Sequence, residues 1–109
     1  MSQYTTGELA KECGITVRTV QFYDQKGILV PSSLTEGGRR LYSEEDLKMM
    51  KIICFLRDMG LSLDTIGQWL KEDDPGGAIS IFLEQQEQLL QEEIDERREQ
   101  LDRLAELKK

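Results

Sequence analysis

Apolar residues recur at helical spacing along most of the chain, broken by glycines and by hydroxyl residues suited to starting helices. Thr5-Thr6-Gly7-Glu8 has the form of a capping box. It opens a pattern through Leu9, Ala10 and Cys13 that stops at Gly14, predicting a helix of about two turns. Thr16 offers a second N-cap, Val17 and Val20 share one face, and Gly27 followed by Ile28 resembles a Schellman stop. The two short helices are joined by about three residues around Gly14. Such a corner needs positive φ at Gly14, a small side chain at Ala10 and an apolar plug at Val20, and the sequence supplies all three.

Leu29-Val30-Pro31 and Arg40-Leu41-Tyr42 are β-compatible and flank a segment containing Gly37-Gly38, which predicts a hairpin with Arg39 and Arg40 on its returning strand. Ser43-Glu44-Glu45-Asp46 starts a further helix, with Leu47, Met50, Ile53, Cys54 and Leu56 as its buried stripe and Gly60 as its end. Ser62 caps another, carrying Leu63, Ile66 and Leu70. Met49, Met50 and Trp69 read as core or interface residues, Cys54 as a small buried hydrophobe on the apolar stripe and Cys13 as helix packing. Asp73-Asp74-Pro75-Gly76-Gly77 punctuates the pattern and suggests a boundary between residues 1–75 and 76–109. Beyond it Ile79, Leu83, Leu90, Ile94, Leu101 and Leu104, with Gln86 and Arg97 filling the seam, step by three and four with one stutter. This predicts one amphipathic helix of about 50 Å at 1.5 Å per residue. The stripe needs cover, from a coiled-coil partner or by folding back on its own domain.

Composition limits the chemistry. The 109 residues correspond to one domain's worth of chain, 39% apolar with two prolines, which permits a folded core. There is no histidine, so histidine-based triads and His-ligated zinc are excluded. Cys13 and Cys54 form no CxxC pair, and two cysteines suit a reduced cytoplasmic protein better than a disulfide scaffold. No secretory leader or membrane-length apolar run is visible.

A formal charge of -7 argues at first against nucleic acid. Its distribution removes that argument. Residues 1–60 hold eight basic and eight acidic side chains, and residues 61–109 hold six basic and thirteen acidic ones, so the entire excess lies in the C-terminal part. With Val17 and Val20 inward, the second helix turns Arg18, Thr19, Gln21 and Phe22 outward or sideways. These side-chain types reach phosphates, base edges and thymine methyls in a major groove. An ordinary solvated helix face and an unremarkable surface loop are the plainer readings of the same segments.

Taken in order, Thr6-Gly7-Glu8-Leu9-Ala10, the run from Gly14 to Asp24, Gly27-Ile28-Leu29, the run from Gly38 to Ser43, Asp46-Leu47 and the run from Met59 to Ile66 resemble the N-terminal region of MerR family bacterial transcription regulators. The resemblance implies a mainly α fold: a winged helix-turn-helix with a small β-hairpin wing, then a long antiparallel coiled-coil dimerisation helix. It implies a homodimer on a palindromic promoter operator, activating by distorting DNA so that RNA polymerase can engage, with no cofactor and no catalysis. The helix starting at Thr16, including Val17, Thr19, Gln21 and Phe22, would lie in the major groove. Arg18 would contact base or backbone, Tyr23 a phosphate, Arg39, Arg40 and Tyr42 would belong to the first wing, and Arg57 to the second. Gln21 and Phe22 fall where such proteins vary and are candidates for sequence discrimination. The seam residues Ile79, Leu83, Leu90, Ile94, Leu101 and Leu104 would form the dimer. Sensing members carry cysteines near this helix or a further ligand domain; this tail has no cysteines and the chain stops at Lys108-Lys109, so an effector domain is expected to be absent. An acidic coiled-coil module that binds protein rather than DNA is the alternative.

Overall fold

Every helix begins on a side chain that accepts from its own free first-turn amides. The computed structural model describes residues 2–109. Thr5 caps α1 (Thr6–Cys13) in a reciprocal box with Glu8, and Thr16 caps α2 (Val17–Gln25). Ser43 caps α3 (Glu44–Asp58) with Asp46 closing the box, and the Ser62 hydroxyl accepts from the Thr65 amide at the start of α4 (Leu63–Leu70). Asp74 caps α5 (Pro75–Leu107). Each cap satisfies a first-turn N–H that has no partner within the helix.

The ends follow a second rule. Gly14, at φ +66°, donates to the Lys11 carbonyl while Ile15 donates to that of Ala10, a Schellman closure that turns the chain directly from α1 into α2. Gly60 ends α3 in the same way, with Leu61 donating to Leu56.

Three short strands form one antiparallel sheet in the order β1-β3-β2: Gln3–Thr5, Arg40–Ser43 and Ser33–Leu34, in which β3 is central. Tyr4 faces Tyr42 and Leu34 faces Arg40 across the ladders. Leu29-Val30-Pro31 is not the first wing strand: the Ile28 and Leu29 amides are both engaged by the Tyr23 carbonyl at the end of α2, Leu29 is buried as a plug, and Pro31 has no N–H for a ladder. The partner strand lies later, at Ser33–Leu34. The N-terminal strand β1 adds a third member that the periodicity did not reveal.

The described chain is mainly helical with this small sheet, and it clusters into two compact units divided between Leu70 and Lys71. In the first, Leu9 and Ala10 of α1, Val20 and Tyr23 of α2, Tyr42 of β3, Leu47, Met50, Ile53 and Leu56 of α3 and Ile66 of α4 are buried. Cys54 is only half-buried rather than part of the stripe. In the second unit α5 begins at Pro75, not after the glycines. Proline suits the first helical position, and the Asp74 carboxylate folds over the first turn so closely that a Cβ at Gly77 would lie 2.6 Å from its Oδ2. From Glu87 to the C-terminus every residue of α5 is exposed, including Leu90, Ile94, Leu101 and Leu104.

Candidate nucleic-acid interface

α2 is anchored by Val20 and Tyr23, the second 6% exposed, while Val17 is 42% exposed. The buried stripe is therefore Val20-Tyr23, one turn later than the Val17-Val20 face read from the sequence; both spacings satisfy a helical period, and only the packing on α1 distinguishes them. Arg18, Thr19, Gln21, Phe22 and Gln25 line an open depression of about 440 Å³ on the outward side. The Thr16 and Thr19 hydroxyls bond to each other at 2.9 Å, and Thr16 also accepts from the Thr19 amide. Among the described residues Arg18 has no carboxylate partner, so its five donors remain open to an external acceptor. The Lys26 ammonium lies 5.6 Å from the centre of the Phe22 ring.

A second depression, about 450 Å³, is lined by Thr5, Thr6, Gly7, Gly38, Arg39 and Arg40. It joins the first turn of α1 to the wing. Thr35 holds that turn by accepting the Arg39 amide on its hydroxyl while donating its own amide to the Arg39 carbonyl. The α1 amides and two guanidinium groups give this cleft the character of an anion cradle. Arg40 is oriented within it by an ion pair from its Nε to Asp24 Oδ2, whereas Arg39 has no carboxylate partner among the described residues.

The tyrosines sit deeper than the resemblance suggested. Tyr42 is 1% exposed and its hydroxyl has no well-formed hydrogen bond. Burial and the nearby Asp24 carboxylate push its pKa up; Arg40, and a nearby Thr6 side chain that makes no well-aligned bond, offset this in part. Burial likewise raises the pKa of Tyr23, against the opposing influence of Arg57. Both phenols therefore stay protonated near neutrality. Arg57 donates from Nη1 to the Leu61 carbonyl at 3.1 Å, so it braces the turn after α3 as well as standing beside Tyr23. The packing thus gathers Arg18, Thr19, Gln21 and Phe22 on one face and Arg39 with Arg40 on the wing, buries Tyr23 and Tyr42, and leaves Arg57 exposed at the turn after α3.

Residues missed in the sequence are Asp24, which aims Arg40, and Gln25 and Lys26, which extend the outward face. Lys26 was recoverable from its i+4 spacing to Phe22. Asp24 was not, because its partner lies across a loop. Among the described residues there is no group of three or more His, Cys, Asp or Glu disposed to hold a metal, and no helix is long and apolar enough to cross a membrane.

Two helices meeting at a tight glycine corner, followed by a β-wing, define a winged helix-turn-helix. The family model described as the MerR HTH family regulatory protein matches residues 4–73, and the chain belongs to that family. It is 40% identical over 91 residues to the HTH-type transcriptional activator TipA of Streptomyces coelicolor, covering 84% of this chain and 35% of that protein. It is 34% identical over 104 residues to the HTH-type transcriptional activator mta of Bacillus subtilis, covering 93% and 40%. The chain thus spans well under half the length of these curated relatives. Among solved structures it is similar to HiNmlR, a MerR family regulator lacking the sensor domain, bound to promoter DNA, at 29% identity and a TM-score of 0.68 over 93% of this chain and 80% of that one. It also matches MtaN, the N-terminus of the Bacillus subtilis multidrug transporter activator, at 31% identity and a TM-score of 0.63, covering 90% and 97%.

Proposed function

We propose that the chain is the DNA-binding and dimerising part of a sequence-specific transcription regulator, acting in the cytoplasm as a homodimer on a palindromic promoter operator. The observation that carries this reading is the division of α2 into an anchored side, Val20 and Tyr23, and an outward side of Arg18, Thr19, Gln21, Phe22 and Gln25 that makes no ion pair among the described residues. α2 lies in the major groove, with Thr16 and Val17 at its entry. The cleft of Arg39 and Arg40 neutralises backbone phosphate, the exposed Arg57 does so at the second wing, and Tyr23 and Tyr42, largely buried, place their hydroxyls from α2 and the first wing. The seam of α5, exposed at Leu90, Ile94, Leu101 and Leu104, pairs antiparallel with a second copy, whereas Leu83 is half-buried and Ile79, expected in the same seam, is already buried within the single chain. Its acidity suits a segment that makes no contact with DNA phosphate.

Activation consists of bending and untwisting the promoter so that RNA polymerase engages both of its elements, at a deformation cost of order 1–10 kcal/mol. The test is a gel-shift salt titration of the dimer on its gene's upstream region. Site preference with an affinity falling steeply in salt is expected. No binding by a confirmed dimer even at low salt would leave the acidic coiled-coil protein-binding module as the better account.

A further inference from the structure

Phe22 is 40% exposed on a helix whose core contacts are made by Val20 and Tyr23, so its ring is not what anchors α2 to the rest of its compact unit. Its setting is nevertheless organised. The Lys26 ammonium stands 5.6 Å over the ring, and the Tyr23 ring lies 6.2 Å away at a 50° tilt. What remains open is an aromatic surface inside a depression whose other walls are the Arg18 guanidinium, the Thr19 hydroxyl and the amides of Gln21 and Gln25. A complementary surface must carry an apolar projection surrounded by hydrogen-bonding groups. In the major groove the apolar projection is the C5-methyl of thymine, and the adenine paired to it presents N6 and N7, the pattern a glutamine amide matches.

We infer that Phe22 is a specificity-determining residue that selects thymine in each operator half-site by packing its ring on the C5-methyl, with the Gln21 and Gln25 amides that line the same depression placed to read the adenine edge of an A·T pair. The Lys26 ammonium, 5.6 Å from the ring centre, steadies the ring by a cation–π contact. This rests on the proposal that α2 enters the major groove, and the experiment separates the two.

Duplexes preferred by the wild-type dimer are selected from a randomised library. Each thymine of the consensus is then replaced in one half-site by deoxyuridine, which removes the methyl alone. Binding of wild type, Phe22→Ala and Phe22→Leu is read by fluorescence anisotropy at fixed salt. For the wild type, uracil at one thymine position weakens binding about fourfold, the effect of one buried methyl-sized group. Phe22→Ala binds the thymine and uracil duplexes alike, and Phe22→Leu, which keeps an apolar contact, remains sensitive. Wild-type tolerance of uracil at every thymine, or undiminished sensitivity in Phe22→Ala, overturns the assignment while leaving DNA reading intact. Selection that yields no preferred sequence overturns the major-groove reading and the Phe22 assignment with it.

Discussion

The head, up to Leu70, and the tail from Lys71 solve the same problem in opposite ways. Both consist largely of helices with apolar stripes. The head closes its stripes on one another, and Leu9, Val20, Met50, Ile53, Leu56 and Ile66 are all essentially inaccessible. The tail leaves its stripe open over most of α5, where Leu101 is 65% exposed and Leu104 55%. The charge follows the same division: neutral over residues 1–60, strongly acidic beyond. On the proposed function, stability in the head belongs to one chain, whereas α5 would reach its full stability through a second copy, so the two regions should respond differently to mutation, dilution and salt.

The largest effect is expected from Ile53→Ala, which opens a cavity at a fully buried site and costs about 2–5 kcal/mol, much of the stability of a small head. Denaturant unfolding followed at the head should shift by that amount irrespective of protein concentration; a shift that vanishes at high concentration would mean the head, too, depends on its partner. Next comes Ile94→Glu, which places a charge in the paired seam twice per dimer. Its dissociation constant should rise at least about 100-fold, or ~2.7 kcal/mol, on sedimentation, with the head still folded. An unchanged dimer would place the interface elsewhere.

Within the head, Arg18→Ala should weaken the preferred site by roughly 1–3 kcal/mol and relax its sequence preference. Arg40→Ala should weaken all sequences alike and reduce the salt slope by about one, as expected when a phosphate contact is lost. Equal behaviour of the two variants in a salt titration would erase the distinction between recognition helix and wing. The smallest effect concerns the thiols, which occur only in the head. Burial raises the pKa of both Cys13 and Cys54, Cys13 also through Cys54 and against Lys51. The folded state therefore favours the protonated thiols, and their contribution to stability is present below the unfolded pKa and lost as pH rises through the folded one. Alkylation of the folded protein should accelerate at higher pH than in denaturant; identical pH profiles would show the thiols unshielded.

The parts of this fold legible in the sequence are those governed by local chemistry. Thr5 with Glu8, Thr16, Ser43 with Asp46, and Gly14 and Gly60 each act within one turn of chain, and spacing alone identifies them as starts and stops. The sheet was harder, because its strands are two to four residues long and take their register from partners distant in sequence, as when Tyr4 pairs with Tyr42. Leu29-Val30-Pro31 has strand-like composition but gives its amides to the end of α2. Of the candidate interface, the outward types on α2 could be read from residues 18–22. The Asp24–Arg40 pair and the burial of Tyr42 could not, since both depend on the wing folding back toward α2.

The central claim is that a closed head reads DNA while an open tail doubles it. The most direct measurement compares affinities of wild type and Ile94→Glu for one duplex bearing two half-sites and another bearing a single half-site, at matched salt. The account predicts that wild type strongly prefers the two-site duplex with two chains bound, and that the monomeric variant binds each half-site weakly without preference. Wild-type binding of equal strength to both duplexes, with one chain per duplex, would contradict it.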